Sequence, residues 1–220
     1  MGTSINTKTI VQDEGTTILA GDVIDFTGTG VSVSSVGGKA TVVIPGNIPS
    51  TSYGLFAQTA TGPSVTGIAE QNIVGTGVGT LSVPPNTFQI GDSFTVAIDG
   101  IINCVSSATI HVHVRTTSGV LLADTGAIPL FAATNKAWLL SLYFTIRTLG
   151  APTIASISSG GIFSYIRNGG TQFEGFVLSK INNTDFDTTV TNNLIVTVQF
   201  NTANAGNTVQ SYNFTLQKVY

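Results

Sequence analysis

The chain has 220 residues, a formal net charge of −3, 9% charged side chains, one cysteine and one methionine. That length buries a substantial core, as one large β domain or as a medium domain with a small appendage. A lone Cys104 excludes an intrachain disulfide framework, and eight Lys+Arg spread singly against eleven Asp+Glu exclude a basic nucleic-acid patch.

Threonine, valine and isoleucine number 33, 22 and 21, whereas Glu and Lys together number eight. Side chains stiff at χ1 fit pleated strands better than helices, so an all-β fold without long helices is expected. Few ionic groups and a net charge near zero favour association, so the composition also predicts an oligomer or particle component. The opening Met1-Gly2-Thr3-Ser4-Ile5-Asn6 lacks the basic start and apolar stretch of a secretory signal, and Asn6 stands where a myristoylation motif has Ser or Thr. No apolar run approaches the ~18 residues of a membrane span. Neither a membrane nor a nucleic acid is an expected partner.

Residues 1–46 read as a small strand and hairpin module. Strands are predicted at Thr9–Gln12, Thr16–Ala20, Val23–Phe26 and Val31–Ser34, and Gly37-Gly38 turns the chain into Lys39–Ile44. So short a β unit buries too little to stand alone and is expected to lean on identical copies or on another protein. Residues 47–52, with Pro49 soon after Pro45, read as a linker.

Residues 53–220 read as a jelly-roll β-sandwich. Phe94/Val96/Ile98, Ile110/Val112/Val114, Leu142/Phe144/Ile146, Leu194/Val196/Val198/Phe200 and Tyr212/Phe214/Leu216 each alternate with polar or small residues. One apolar face per strand requires two sheets packed face to face. Turns are predicted at Pro84-Pro85-Asn86, Gly91-Asp92, Ser118-Gly119, Ser159-Gly160-Gly161, Asn168-Gly169-Gly170 and Ala205-Gly206-Asn207. A single helical turn has room only within residues 129–137. The apolar final strand, 212–220, is expected to thread the centre of a sheet.

Chemistry is sparse. No nucleophile elbow or paired-carboxylate constellation is present, so the chain is not expected to be an enzyme. Cys104 reads as a small buried hydrophobe. His111 and His113 share one strand face, ordinarily a polar face in water. Near a three-fold axis six such imidazoles could hold Zn²⁺ or Ni²⁺, or act as a proton-sensitive lock. Asn183, Asp185 and Asp187 alternate as Ca²⁺ ligands do, but the EF-hand glycine and distal Glu are missing, so a solvated turn is expected. Gly75–Gly79 and Gly28–Gly30 precede strand-like residues, so they read as turns or bulges rather than phosphate loops. No cofactor or metal is assigned. Trp138 is expected inside; Tyr143, with Tyr165 and Tyr53 as lesser candidates, is the aromatic for a ligand platform or a subunit interface.

Two stretches carry a resemblance. Val11-Gln12-Asp13-Glu14-Gly15-Thr16, Asp25–Val31 and Gly37–Gly46 resemble a short β module of tailed-phage structural proteins. Gly75–Phe94, Leu122-Ala123-Asp124-Thr125-Gly126 and Ala137–Gly150 resemble the trimeric TNF-like or C1q-like jelly rolls of virus particles. The resemblance implies a homotrimer on the virion surface, made in the host cytoplasm. Its N-terminal module would hold capsid or other virion proteins, through Ile10, Val11, Asp13, Glu14 and Phe26. A capsid decoration or cement protein is the preferred expectation, since a fibre shaft is lacking. The alternative is a fibre or tail-tip protein whose jelly roll adheres to host surface glycans.

Overall fold

The computed structural model describes residues 54–220 with their side chains, and the strand backbone of Tyr53, Thr9–Asp13, Thr16–Gly21, Ser32–Val36 and Lys39–Val43. The chain divides into two compact units, Met1–Ile48 and Pro49–Tyr220. In the first, β1 (Thr9–Asp13) pairs antiparallel with β2 (Thr16–Gly21), with a register shift between Val11 and Gln12. Strand β3 (Ser32–Val36) pairs with β4 (Lys39–Val43), with Val36 opposite Lys39, as a two-residue Gly-Gly connection requires. The predicted strand Val23–Phe26 lies outside the described residues.

The second unit is an all-β sandwich. Its strands are β5 (Tyr53–Gln58), β6 (Gln71–Asn72), β7 (Gly77–Gly79), β8 (Ser82–Val83), β9 (Ser93–Cys104), β10 (Thr109–Thr116), β11 (Leu121–Asp124), β12 (Ile128–Pro129), β13 (Ala133–Thr148), β14 (Ser156–Ile166), β15 (Phe173–Asn183), β16 (Asn192–Phe200) and β17 (Thr208–Lys218). The larger sheet runs β15-β14-β13-β9-β17-β5-β7. The smaller runs β11-β10-β16-β6, with β12 beside β10 and β8 beside β16, and every pairing is antiparallel. The chain steps repeatedly between sheets, and the last strands return beside the first: β17 beside β5, β16 beside β6. This nested closure is a jelly roll, and the β14–β15 hairpin extends its larger sheet.

Period-2 patterning explains the core. Phe94, Val96 and Ile98 of β9 meet Ile110, Val112 and Val114 of β10 across the interior, joined by Leu140, Leu142, Phe144, Val196, Val198 and Phe200. The neighbouring rings of Phe88, Phe94, Phe144 and Phe186 close one end in edge-on and stacked contacts with centroids 5.3–6.1 Å apart. The final strand does thread the sheet, between β9 and β5.

Four expectations need correction. Ser159-Gly160-Gly161 is the middle of β14, not a turn. A Cβ at Gly161 would sit 2.2 Å from the Ser141 carbonyl oxygen, so this glycine serves a close approach of β13. Gly77–Gly79 is likewise a short edge strand on β5, where a Cβ at Gly77 would meet the Ala57 carbonyl at 2.2 Å. Residues 129–137 contain no helical turn; β12 ends at Pro129 and β13 begins at Ala133, because β13 reaches back to pair with Cys104. Tyr212 faces outward rather than inward. It is the extra residue of a bulge between Ser211, opposite Gly100, and Asn213, opposite Asp99, which reverses the alternation.

That bulge also explains Trp138. A Cβ at Gly100 would lie 1.9 Å from the Gln210 carbonyl oxygen, so only glycine lets β17 press this closely on β9. Trp138 stands opposite Gly100, and its buried indole Nε1 donates across the vacant side-chain position to Gln210 O at 3.1 Å.

Candidate functional site

Part of the larger sheet turns an uncharged face to solvent, bordered by Asp99 on β9 and Arg147 on β13. From Ala137 to Thr145 on β13, Ser158 to Ile166 on β14 and Phe173 to Ile181 on β15, no outward-facing position carries a charge. Leu139, Tyr143, Ile162, Phe173, Val177 and Ile181 are exposed there, Val177 by 78% and Phe173 by 70%. Register interleaves them with serine and glycine: Ile162 stands between Ser141 and Val177, Gly160 between Tyr143 and Ser179, and Ser164 between Leu139 and Gly175. Glycine and serine between the large side chains keep the face open to close approach by another surface. Six large apolar side chains exposed on one charge-free face make it a candidate interaction surface. Tyr143 is 61% exposed on this face. The strand face read as polar from Ser141, Tyr143 and Thr145 is uncharged and mixed once its neighbours are in place, serine and glycine alternating with Leu139, Ile162, Phe173 and Val177.

Beside this face, Asp99, Gly100, Leu139, Ser164 and Phe173 line a shallow groove of about 320 Å³. Asn213 Nδ2 donates to Asp99 Oδ1 at 2.8 Å on its rim. The groove thus has an aromatic ring, Phe173, at one end and a carboxylate with its amide partner at the other.

The other sheet carries a different constellation. His111 and His113 alternate with the buried Ile110, Val112 and Val114, so both stand on its outer face, with ring centroids 5.8 Å apart. His113 Nδ1 lies 2.9 Å from Glu70 Oε1, and its Nε2 lies 3.3 Å from Asp124 Oδ1 of β11. Arg115 Nη2 meets the other Glu70 oxygen at 3.2 Å, and the Thr197 hydroxyl donates to Oε1. Burial pushes the Glu70 carboxyl up, but the hydrogen bonds from Thr197 and His113 and the nearby positive charges outweigh it, and the group rests below its ordinary value. Asp124 Oδ1 also accepts the Gly126 N–H at 2.7 Å, in a turn that Gly126 permits with φ of 63°. Patterning predicted the shared face of the two histidines. It missed Glu70, which arrives from the segment before β6, and Asp124, which arrives from the next strand.

Other candidates fall away. Tyr165 is fully buried, its hydroxyl oxygen accepting the Phe131 N–H at 2.8 Å, so it offers no ligand platform. Asn183 Oδ1 accepts the Asp185 N–H and Asp187 Oδ1 the Thr189 N–H in local turns, but Asn183, expected in a solvated turn, is instead buried at the end of β15, where its Nδ2 donates to Leu121 O at 2.8 Å. Cys104 is buried, and burial pushes its thiol up to about 11. Ile10, Val11 and Asp13 lie in β1; their side chains, that of Tyr53, and residues Glu14 and Phe26 lie outside the described residues.

No protein-family model matches the chain, and no curated protein matches it. The fold is similar to the CBM2 module of the evolved Dit of Lactobacillus casei BL23 phage J-1. The two share 9% identity over 76% of this chain and 96% of that chain, at a TM-score of 0.34. A likeness so distant leaves function to be argued from the residues.

Proposed function

We infer that this chain is a homotrimeric structural protein on the outside of a bacteriophage virion, a capsid decoration or cement protein held to the particle by its N-terminal unit. The uncharged outer face of β13, β14 and β15 carries the reading. Apolar area removed from water contributes roughly 25 cal/mol per Å², and where three copies converge on a three-fold axis these charge-free faces cover one another without leaving any ion unpaired. The jelly-roll topology and the resemblance of residues 10–46 to phage β modules support the virion setting. Two short hairpins per chain are a weak anchor singly, and three joined copies gain avidity over one. The protein then acts without catalysis, by raising the work needed to part neighbouring shell subunits.

Particles lacking this protein are expected to release their genome at lower temperature than complete ones, and adding the purified protein back abolishes the difference. Unchanged heat release would defeat the cement role.

The groove beside Phe173, with Asp99 and Asn213 on its rim, favours a second reading: a fibre or tail-tip protein adhering to host surface glycans. Binding to a glycan array, lost on Phe173→Ala, would favour that role over cementing.

A further inference from the structure

We propose that each chain carries its own divalent-metal site on the outer face of the smaller sheet, with His111, His113 and Asp124 as ligands for Zn²⁺. The ligand atoms of these three residues lie within 4.8 Å of one another. The His113 Nε2 and Asp124 Oδ1 atoms, 3.3 Å apart, already have the separation of a ligated pair. With zinc–ligand bonds of about 2.05 Å, that spacing subtends an angle of about 107° at the metal, close to tetrahedral. His111, partly exposed on the same face, completes the set when its ring turns to bring its nitrogen from no more than 4.8 Å to about 3.3 Å of the others. Water takes the fourth position.

The surroundings are those of a prepared site. Glu70 Oε1 lies 2.9 Å from His113 Nδ1 and orients the ring so that Nε2, the nitrogen facing Asp124, is the one that would take the metal. The Gly126 N–H donates to the same Asp124 Oδ1 that faces His113 and fixes its position. Arg115 is neutralised by Glu70, on the opposite side of the His113 ring from Nε2, so it does not repel the ion. Two imidazoles and one carboxylate suit zinc better than the oxygen-seeking Ca²⁺ or Mg²⁺. The metal would tie β11, the edge of its sheet, to β10 where their pairing slips between Val114 and Arg115. It requires no second copy, so it stands apart from the trimer and from any three-fold axis.

The test is titration of the full chain, stripped with EDTA, using ZnCl₂ in calorimetry, with the Co²⁺-loaded protein followed by visible absorption. One ion per chain, intense tetrahedral Co²⁺ bands and a melting temperature raised by zinc and lowered again by EDTA are expected. His111→Ala and Asp124→Ala should each weaken binding at least 10-fold, and Glu70→Gln about 10-fold to 100-fold although it is not a ligand. Circular dichroism confirms that each variant is folded; His111→Ala, at a partly exposed position, keeps the test decisive should another variant unfold. Absence of zinc binding, a stoichiometry of one ion per three chains, or affinity unchanged in His111→Ala and Asp124→Ala would overturn the site.

Discussion

Replacing Val177 by Asp separates the interface from the fold. Val177 is 78% exposed at the middle of β15, facing away from the core, so the isolated sandwich loses no buried contact. The substitution should cost the lone chain no more than about 1 kcal/mol, the span of strand propensities, or a few degrees in melting temperature. In the proposed trimer the same side chain is to meet apolar neighbours. Losing the burial of a valine costs about 1.5 kcal/mol per copy, before any charge for desolvating the new carboxylate. Three copies bring the total to roughly 4–5 kcal/mol, at least a thousandfold in the trimer dissociation constant. Sedimentation velocity across micromolar concentrations, with a circular dichroism melt of the same sample, measures both quantities. Ile90→Asp, an exposed isoleucine in the loop before β9, serves as the control that should leave association untouched. A Val177→Asp chain that associates as tightly as the parent would refute the assignment of this face, as would one that simply unfolds.

Further outcomes follow from the interior. Gly100→Ala places a Cβ 1.9 Å from the Gln210 carbonyl oxygen and should destabilise by about 3–5 kcal/mol in urea, whereas Gly119→Ala meets nothing within 4 Å and is limited to the milder strain of its φ of 97°. Lys218 Nζ pairs with the buried Asp92 at 2.6 Å, so Lys218→Met strands a carboxylate and should cost about 3 kcal/mol by the same measurement, despite the gain in apolar surface. Burial raises the Cys104 thiol to about 11 and also lifts the Tyr165 phenol. The folded chain therefore holds these protons more tightly than the unfolded one, and stability should fall as pH climbs from about 9 toward 11. Thiol labelling of native protein at pH 8 should be slow and should become rapid only in denaturant.

The sandwich was legible because Phe94, Ile110, Leu142, Leu194 and their partners alternate with a period of two, and that period admits only one inward face. Glycines misled where they serve packing: Gly161 resembles a turn residue in sequence, but it lets β14 lie against the Ser141 carbonyl. Tyr212 misled because a bulge is invisible until Gly100 is known to lie opposite Ser211. The sites were half visible. Ala137-Trp138-Leu139-Leu140 and Ile162-Phe163 are apolar on consecutive residues, which signals two covered faces, but the charge-free patch emerges only when β13, β14 and β15 are set side by side. The histidine pair was plain on one strand. Glu70 comes to it because β6 pairs with β16, placing Asn72 opposite Thr197, more than a hundred residues away, and no local pattern encodes that.

The mass of the purified full-length chain in native solution decides most. At micromolar concentration the account requires about 68 kDa, three times the 22.7 kDa chain. A single 22.7 kDa species that persists as concentration rises would contradict it.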